Sequence, residues 1–583
     1  MPANALDPRP RDAQREGDEN RIQEYLARFG AASPSPAPQP QIDQHDTDGV
    51  WSRIKFDLKP DDLVAYLDQY IVRQEEAKAV LATKICTHFN RAKYLSRLQN
   101  DDPSDGVGMI KNNILLIGPT GVGKTYMIKL IADKLGVPFV KADATKFSET
   151  GYVGGDVEDL IRDLVREAED DIELAQFGIV YLDEVDKIAG TKGLLGPDVS
   201  RSGVQRALLK PMEETEVDLK VAHDPISQIQ AIEQYRKTGR AERRLVNTRH
   251  ILFIMSGAFG ELAEVIRRRR NKAQLGFSSQ MRAQLDDQAI LHEVTGADLV
   301  EFGFETEFVG RLPVTVVLDK LEADDLHQIL RNPNNPVIIS KKRDFAAYGI
   351  ELRFEDEALR KLAEEAATLG TGARALVSVC ERVCLPFERH LPSSDVRRLV
   401  ITPECVDNPG QELQIVLGAP HEQEPRFEAA GQFERAQLMH MIDRRQAMYA
   451  QRLQSPLTPA RMALIADEFH RVGLSMERAF RNVLDRLDQV RDFALGFSQK
   501  YGITISFSED ARVAILAGAA AEGVAVDEYL KRLSTILEPG LKLARDRTGV
   551  DAYELPRQAI FDTDAYLRQV FEEHFSQTLG AKN

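Results

Sequence analysis

Gly118-Pro119-Thr120-Gly121-Val122-Gly123-Lys124-Thr125 lies between the apolar run Asn113-Ile114-Leu115-Leu116-Ile117 and a helix-like stretch that ends at Gly136. That is the spacing of a phosphate-binding loop, set between a strand and a helix as the motif requires. Gly118, Gly121 and Gly123 allow the backbone to curl so that its N–H groups converge on a polyphosphate, near the positive end of the following helix. Lys124 is placed to reach the β- and γ-phosphates, and Thr125 to offer its hydroxyl to Mg²⁺. The stretch implies a nucleoside triphosphate site, with ATP and Mg²⁺ as the expected cofactors.

Outward from this loop, the apolar pattern predicts strands at 113–117, 138–142, 178–182 and 250–256, with helices at 124–135, 156–169 and 201–213. Such alternation predicts an α/β fold, a parallel sheet with helices on both faces. Ligands of these sheets bind at the carboxyl ends of the strands, where the P-loop lies. Phe177-Gly178-Ile179-Val180-Tyr181-Leu182-Asp183-Glu184 reads as a buried strand ending in two carboxylates. Asp183 can hold the Mg²⁺ hydration shell, which leaves Glu184 to polarise an attacking water. The strand Ile251–Ser256 ends in a hydroxyl that can orient that water or sense the γ-phosphate. Arg311, in Glu307-Phe308-Val309-Gly310-Arg311-Leu312-Pro313, and Arg374, in Thr371-Gly372-Ala373-Arg374 at a helix start, are two further candidates. A guanidinium aimed at the γ-phosphate stabilises transition-state charge, and one supplied by a neighbouring subunit couples hydrolysis to assembly.

The 583 residues are too many for one core, and their net charge of −16 argues against general nucleic-acid affinity. Cys86, Cys380, Cys384 and Cys405 form no Cys-x-x-Cys pair, and the 380/384 spacing reads as a partly buried helix face. No run approaches the roughly 18 apolar residues of a membrane span, and Met1-Pro2-Ala3-Asn4 opens no secretory signal. A cytoplasmic location and no membrane partner are expected. Arg267–Arg270 reads as a solvated helix end.

Residues 1–55, with Ser33-Pro34-Ser35-Pro36-Ala37-Pro38-Gln39-Pro40, read as a disordered leader that contains a short amphipathic helix near Ile22–Phe29. The expected order after it is an ATPase domain at 56–320, a mostly helical small domain at 321–410 and a helical linker at 411–470. The last segment, 471–583, reads as a degenerate repeat of the small domain. Tyr348-Gly-Ile-Glu-Leu-Arg-Phe354 returns as Tyr501-Gly-Ile-Thr-Ile-Ser-Phe507, and Ala358, Ala366, Ala367 and Gly370 return as Ala511, Ala519, Ala520 and Gly523. The position of Arg374 is taken by Asp527 and the repeat has no P-loop, so it is expected not to touch nucleotide.

At these motifs the chain resembles the AAA+ unfoldases of the ClpX/HslU type, and ClpX more than HslU. The likeness covers roughly 58–405. It includes the P-loop, Asp183-Glu184, Leu67–Lys78, Gly151–Gly154, Val204–Lys210, Ile251–Phe259, Glu307–Pro313 and Gly372–Arg374. It implies a homo-hexameric ring, with Arg311 as trans-acting arginine finger and Arg374 as sensor-2 arginine. Tyr70, Ile71 and Val72 would then contribute to the adenine pocket. Tyr152-Val153, flanked by glycines, would be the pore loop that grips a polypeptide through apolar contact. Leu275-Gly276-Phe277 looks like the tripeptide with which such rings dock onto a ClpP-like peptidase; a second Leu-Gly-Phe, at 495–497, falls in a helical pattern.

The chain departs from the pattern in four places. No cysteine precedes Cys86 to form the family's zinc domain, and Val221–Asn247 replaces the Arg-Lys-His pore-entrance loop. Arg73 stands where glycine is usual, and an extension follows residue 410 with an expected docking, adaptor or ring-stabilising role. The resemblance implies ATP-driven unfolding or remodelling of proteins and admits the role of regulatory ATPase of a ClpP-like peptidase, with no proteolytic site in this chain. A non-threading remodeller of a dedicated complex and a nucleotide-gated scaffold are the other readings.

Overall fold

The computed structural model describes residues 51, 53–54, 58–97, 111–147, 155–190, 199–219, 244–273, 287–444, 457–472 and 476–580. The leader helix near 22–29, Tyr152-Val153, Leu275-Gly276-Phe277 and most of the 221–247 stretch lie outside them.

Five short segments form one parallel sheet: β1 (Ile114–Ile117), β2 (Phe139–Asp143), β3 (Ile179–Asp183), β6 (Leu252–Gly257) and β7 (Val314–Val317), in the order β2-β3-β6-β1-β7. Ile114 and Leu116 join one core, while Leu115 and Ile117 join another on the opposite face. This is how a strand with no polar position is satisfied: successive side chains point to opposite faces and both are covered. The sequence pattern places β1, β2, β3 and β6 within two residues of their observed bounds. It misses β7, and also the antiparallel hairpin of β4 (Glu216–Asp218) and β5 (Leu245–Asn247). The helix expected at 156–169 is Asp159–Glu167.

The strand order positions the site. β6 is inserted between β1 and β3, and its register aligns Leu116 with Ser256 on one side and Leu182 with Met255 on the other. A side chain at the end of β6 therefore stands between the P-loop and the strand-end carboxylates.

Beyond β7, the helices Ala323–Arg331 and Pro336–Ala346 lead into β8 (Glu351–Phe354), the helices Asp356–Thr368 and Ala373–His390, and β9 (Arg398–Ile401), which pairs parallel with β8. Short helices Pro403–Asp407 and Pro409–Gly418 follow. The same succession recurs as β10 (Thr504–Phe507), helices Glu509–Glu522 and Val526–Thr548, β11 (Ala552–Leu555) parallel to β10, and helices Arg557–Phe561 and Thr563–Gly580. The shared glycines explain the shared motif. Gly349 and Gly502, like Gly370 and Gly523, have φ between 65° and 73°, which ends each helix in the left-handed turn that glycine tolerates. The two succession units have separate cores.

The helix Glu424–Asp443 joins them. Its Phe427 is buried against Val400 beneath the Arg353 guanidinium, 3.9 Å from the ring centroid, and Arg353 donates to the Phe427 carbonyl at 2.8 Å. Gly431 leaves room for that arginine, since a Cβ there would fall 1.9 Å from it. Further along the helix, Leu438 and Ile442 enter the second core. The Arg267–Arg270 run lies in the last turns of the helix Leu262–Ala273, partly exposed as expected. Arg267 pairs with Asp287, Arg269 with buried Asp298 at 2.8 Å, and Arg270 with Glu293 at 3.2 Å, so the run, still partly exposed to solvent, also fastens the segment that follows it.

Candidate functional site

Gly121 and Gly123 take φ of 79° and 98°, conformations that admit glycine and strain other residues, and Gly123 caps the helix Lys124–Leu135. The first turn of that helix therefore faces the concave loop with its amide groups, the arrangement that favours an anion. The Lys124 ammonium lies over the loop and donates to the Pro119 carbonyl at 2.9 Å. Burial pushes its pKa down to about 8, against the pull of Asp183 and Asp186. A desolvated cation above a glycine-lined cradle fits a triphosphate.

Four hydroxyl and carboxyl groups form a chain beside Lys124. Tyr181 donates to Ser256 Oγ at 2.6 Å, and Ser256 donates to Asp183 Oδ1 at 2.6 Å. The Thr125 hydroxyl lies 3.1 Å from the Tyr181 oxygen and 3.4 Å from Asp183 Oδ2, and the Lys141 ammonium is 3.2 Å from that same oxygen. Only the carboxylate is purely an acceptor, so the protons must run toward it. Burial would raise the Asp183 pKa, but the hydrogen bonds from Ser256 and Lys141 outweigh it and hold the carboxyl below its usual range. Burial drives Tyr181 up to about 12, which keeps its donor proton in place. Thr125 and Asp183 together could hold Mg²⁺ through oxygen, the donor type a hard cation takes. Glu184 follows the last residue of β3, exposed and in a left-handed conformation, φ 57° and ψ 33°. Ser256 is fully buried with its hydroxyl engaged by Tyr181 and Asp183, so it orients the carboxylate.

The turn before Arg374 rests on the P-loop. Ala373 N–H donates to the Gly121 carbonyl at 2.9 Å, and a Cβ on Gly121 would fall 2.0 Å from the Thr371 carbonyl. Arg374 is the exposed second residue of its helix, and its charge lowers the Lys124 pKa. In the later unit Asp527 holds the second position of the helix Val526–Thr548, and the residue matching Gly372 is Ala525, with ordinary extended φ of −68°. On the other side of the loop Ile71 is buried, and a Cβ on Gly123 would lie 3.9 Å from its Cδ1; Tyr70 and Val72 flank it half-buried.

Arg311 is not brought to this cluster. It precedes β7 at the amino end of the sheet, where Val314 aligns with Ile114, whereas the P-loop follows Ile117. Asn113, whose side chain touches Arg311, is separated from Gly118 by the length of β1, about 17 Å at about 3.3 Å per residue, more than an arginine side chain spans. There Arg311 is exposed and paired with Glu213, and its carbonyl accepts from the buried Asn113 amide at 3.1 Å. The sequence reading missed Tyr181 and Lys141. A tyrosine inside an otherwise apolar strand is the available signal for the first, because its buried hydroxyl must find a partner.

A family model for the AAA domain (Cdc48 subfamily) matches residues 110–315. The fold and site thus define a P-loop ATPase of the AAA+ class. The ATP-dependent Clp protease ATP-binding subunit ClpX of Borrelia duttonii (strain Ly) and that of Borrelia recurrentis (strain A1) are each 39% identical to this chain over 362 residues, covering 62% of it and 81% of theirs. The chain belongs to the ClpX-type AAA+ unfoldases. Among the described residues, no helix is long and apolar enough to cross a membrane.

Proposed function

We propose that this chain works as a ring, homo-hexameric by the family likeness, that hydrolyses ATP to pull polypeptides through its pore. The observation that carries this reading is the separation of Arg311 from its own P-loop, because the arginine can then complete only a neighbour's site. Gly118, Pro119, Thr120, Gly121, Val122, Gly123 and Lys124 would cradle the triphosphate, with Tyr70, Ile71 and Val72 against the base. Thr125 and Asp183 would hold Mg²⁺, which when bound neutralises charge on the β- and γ-phosphates. Glu184 polarises water, Ser256 fixes Asp183, and Arg374 senses the γ-phosphate from the small domain. Tyr152 and Val153 grip the substrate.

The relatives are named as ATP-binding subunits of a Clp protease. That supports a cytoplasmic ClpP-like peptidase partner, docked through Leu275, Gly276 and Phe277, and cleavage carried out by the partner and not by this chain. The segment 411–583 acts as a handle or ring brace, fixed to the small domain through Phe427 and lacking a nucleotide-contacting arginine at Asp527. The test is capture with Glu184→Gln in ATP. It should retain polypeptide substrates that Tyr152→Ala in the same background releases; equal retention by both would leave the pore without a role.

A further inference from the structure

Residues 69–74 pass beside the P-loop at Gly123 and are fastened at both ends to residues beyond β7. At the first end the Gln69 carbonyl accepts from Asn332 Nδ2 at 2.8 Å and from the buried Asn334 Nδ2 at 3.4 Å. At the other end Arg73 donates to Asp325 at 2.8 Å, on the helix Ala323–Arg331, with Glu322 at 3.5 Å and Asp319 at 3.8 Å. Gln74 exchanges two hydrogen bonds with the backbone of Asp319, both 2.8 Å. Between the fastenings Ile71 lies over Gly123.

Arg73 and Gln74 both hold positive φ, 61° and 67°. Two consecutive non-glycine residues in the left-handed region persist only where surrounding contacts over-determine them. Here those contacts come from residues some 245 to 252 positions away in sequence. The carboxylates are not otherwise idle: Asp319 also accepts from Gln288 at 3.2 Å and meets His292 at 2.9 Å, so the hinge between β7 and the small domain is one connected polar network.

We propose that Arg73 is a positioning residue for nucleotide binding, a latch that ties the strap Tyr70–Val72 to Asp325 so that strap and small domain hold the base together. This rests on the reading that Tyr70, Ile71 and Val72 contact the base. The latch is one-third exposed, so its ion pairs are screened and its effect is modest. It acts on the base and not on the phosphates, because Arg73 reaches the site through the strap and its Ile71, which lies against Gly123.

Arg73→Gly keeps the left-handed corner and removes the latch without threatening the fold. With the full chain, stopped-flow release of a fluorescent ADP should quicken about fivefold, the low end of coupling between sites. KM for ATP should rise in step, with kcat at saturation changed less than twofold. Competition by inorganic tripolyphosphate, which has no base, should be unchanged. Asp325→Asn should do the same, and the double variant should be no faster than either single one. Ile71→Ala separates the two readings. If it leaves the preference for ATP over tripolyphosphate intact, the base does not lie on the strap and the reading beneath the proposal fails. If Ile71→Ala weakens ATP while Arg73→Gly leaves release unchanged, or if Arg73→Gly and Asp325→Asn are additive, the latch is overturned.

Discussion

Ser256→Ala removes one oxygen from the centre of the hydroxyl chain, and its cost can be worked from the bonds lost. The serine donates to the Asp183 carboxylate and accepts from Tyr181, each at 2.6 Å, and has no exposure to water that could replace either. A hydrogen bond to a charged group contributes about 1.5–3 kcal/mol, so a loss of about 2 kcal/mol is expected at pH 7, more if the Tyr181 hydroxyl finds no new acceptor. The assay is urea unfolding followed by Trp51, the single tryptophan, which packs edge-on against Phe177 at 4.8 Å and so reports on the ATPase domain and not on the second core. In an Asp183→Asn background the same substitution removes a neutral bond and should cost only about 1 kcal/mol. The pH dependence follows in sign from the depressed Asp183 pKa. The stability that the carboxylate contributes is present above its unfolded value near 4 and is lost as pH falls through the lower folded one. The Ser256→Ala deficit should therefore be flat from about pH 5 to 8 and narrow only in acid. A deficit under about 0.5 kcal/mol, or one of equal size in the Asp183→Asn background, would refute the chain of bonds as an organiser of Asp183.

Other consequences are as direct. Nucleotide binding should take up protons near pH 8, about half a proton per site, because Lys124 titrates near 8 when buried alone and a polyphosphate raises its pKa; calorimetry in buffers of different ionisation enthalpy measures it. Gly372→Ala should weaken ATP binding, since φ 59° with ψ −143° is a region open mainly to glycine and a Cβ would fall 2.8 Å from the Gly121 carbonyl. An unchanged dissociation constant would separate that turn from the site. Phe427→Ala should remove about 3–5 kcal/mol of core packing and expose the amides of Glu424–Asp443 to hydrogen exchange, while the P-loop helix stays protected.

Much of this site is legible in the linear sequence because its parts are local. The P-loop, Asp183-Glu184 and the glycines of the Tyr-Gly-Ile repeat each carry their own conformational reason, a positive φ or a strand end, within a few residues. What stays hidden depends on partners far away in sequence. Lys141 matters because β2 pairs with β3 and brings it to Asp183, and Tyr181 because β6 carries Ser256 into line. β7 is four residues long and follows the Arg311 turn so closely that no separate strand pattern stands out. The left-handed Arg73 and Gln74 are the extreme case: local propensity argues against them, and distant partners, Asp319, Glu322 and Asp325, hold them in place.

The separation of Arg311 from Lys124 is tested most directly by mixing two inactive chains. Lys124→Ala lacks a working cradle but keeps its arginine, and Arg311→Ala keeps the cradle but lacks the arginine. If each site is completed by a neighbour, an equal mixture allowed to reassemble should recover ATPase activity at about a quarter of its sites. A mixture as inactive as its parts, in rings shown to contain both chains, would contradict the account.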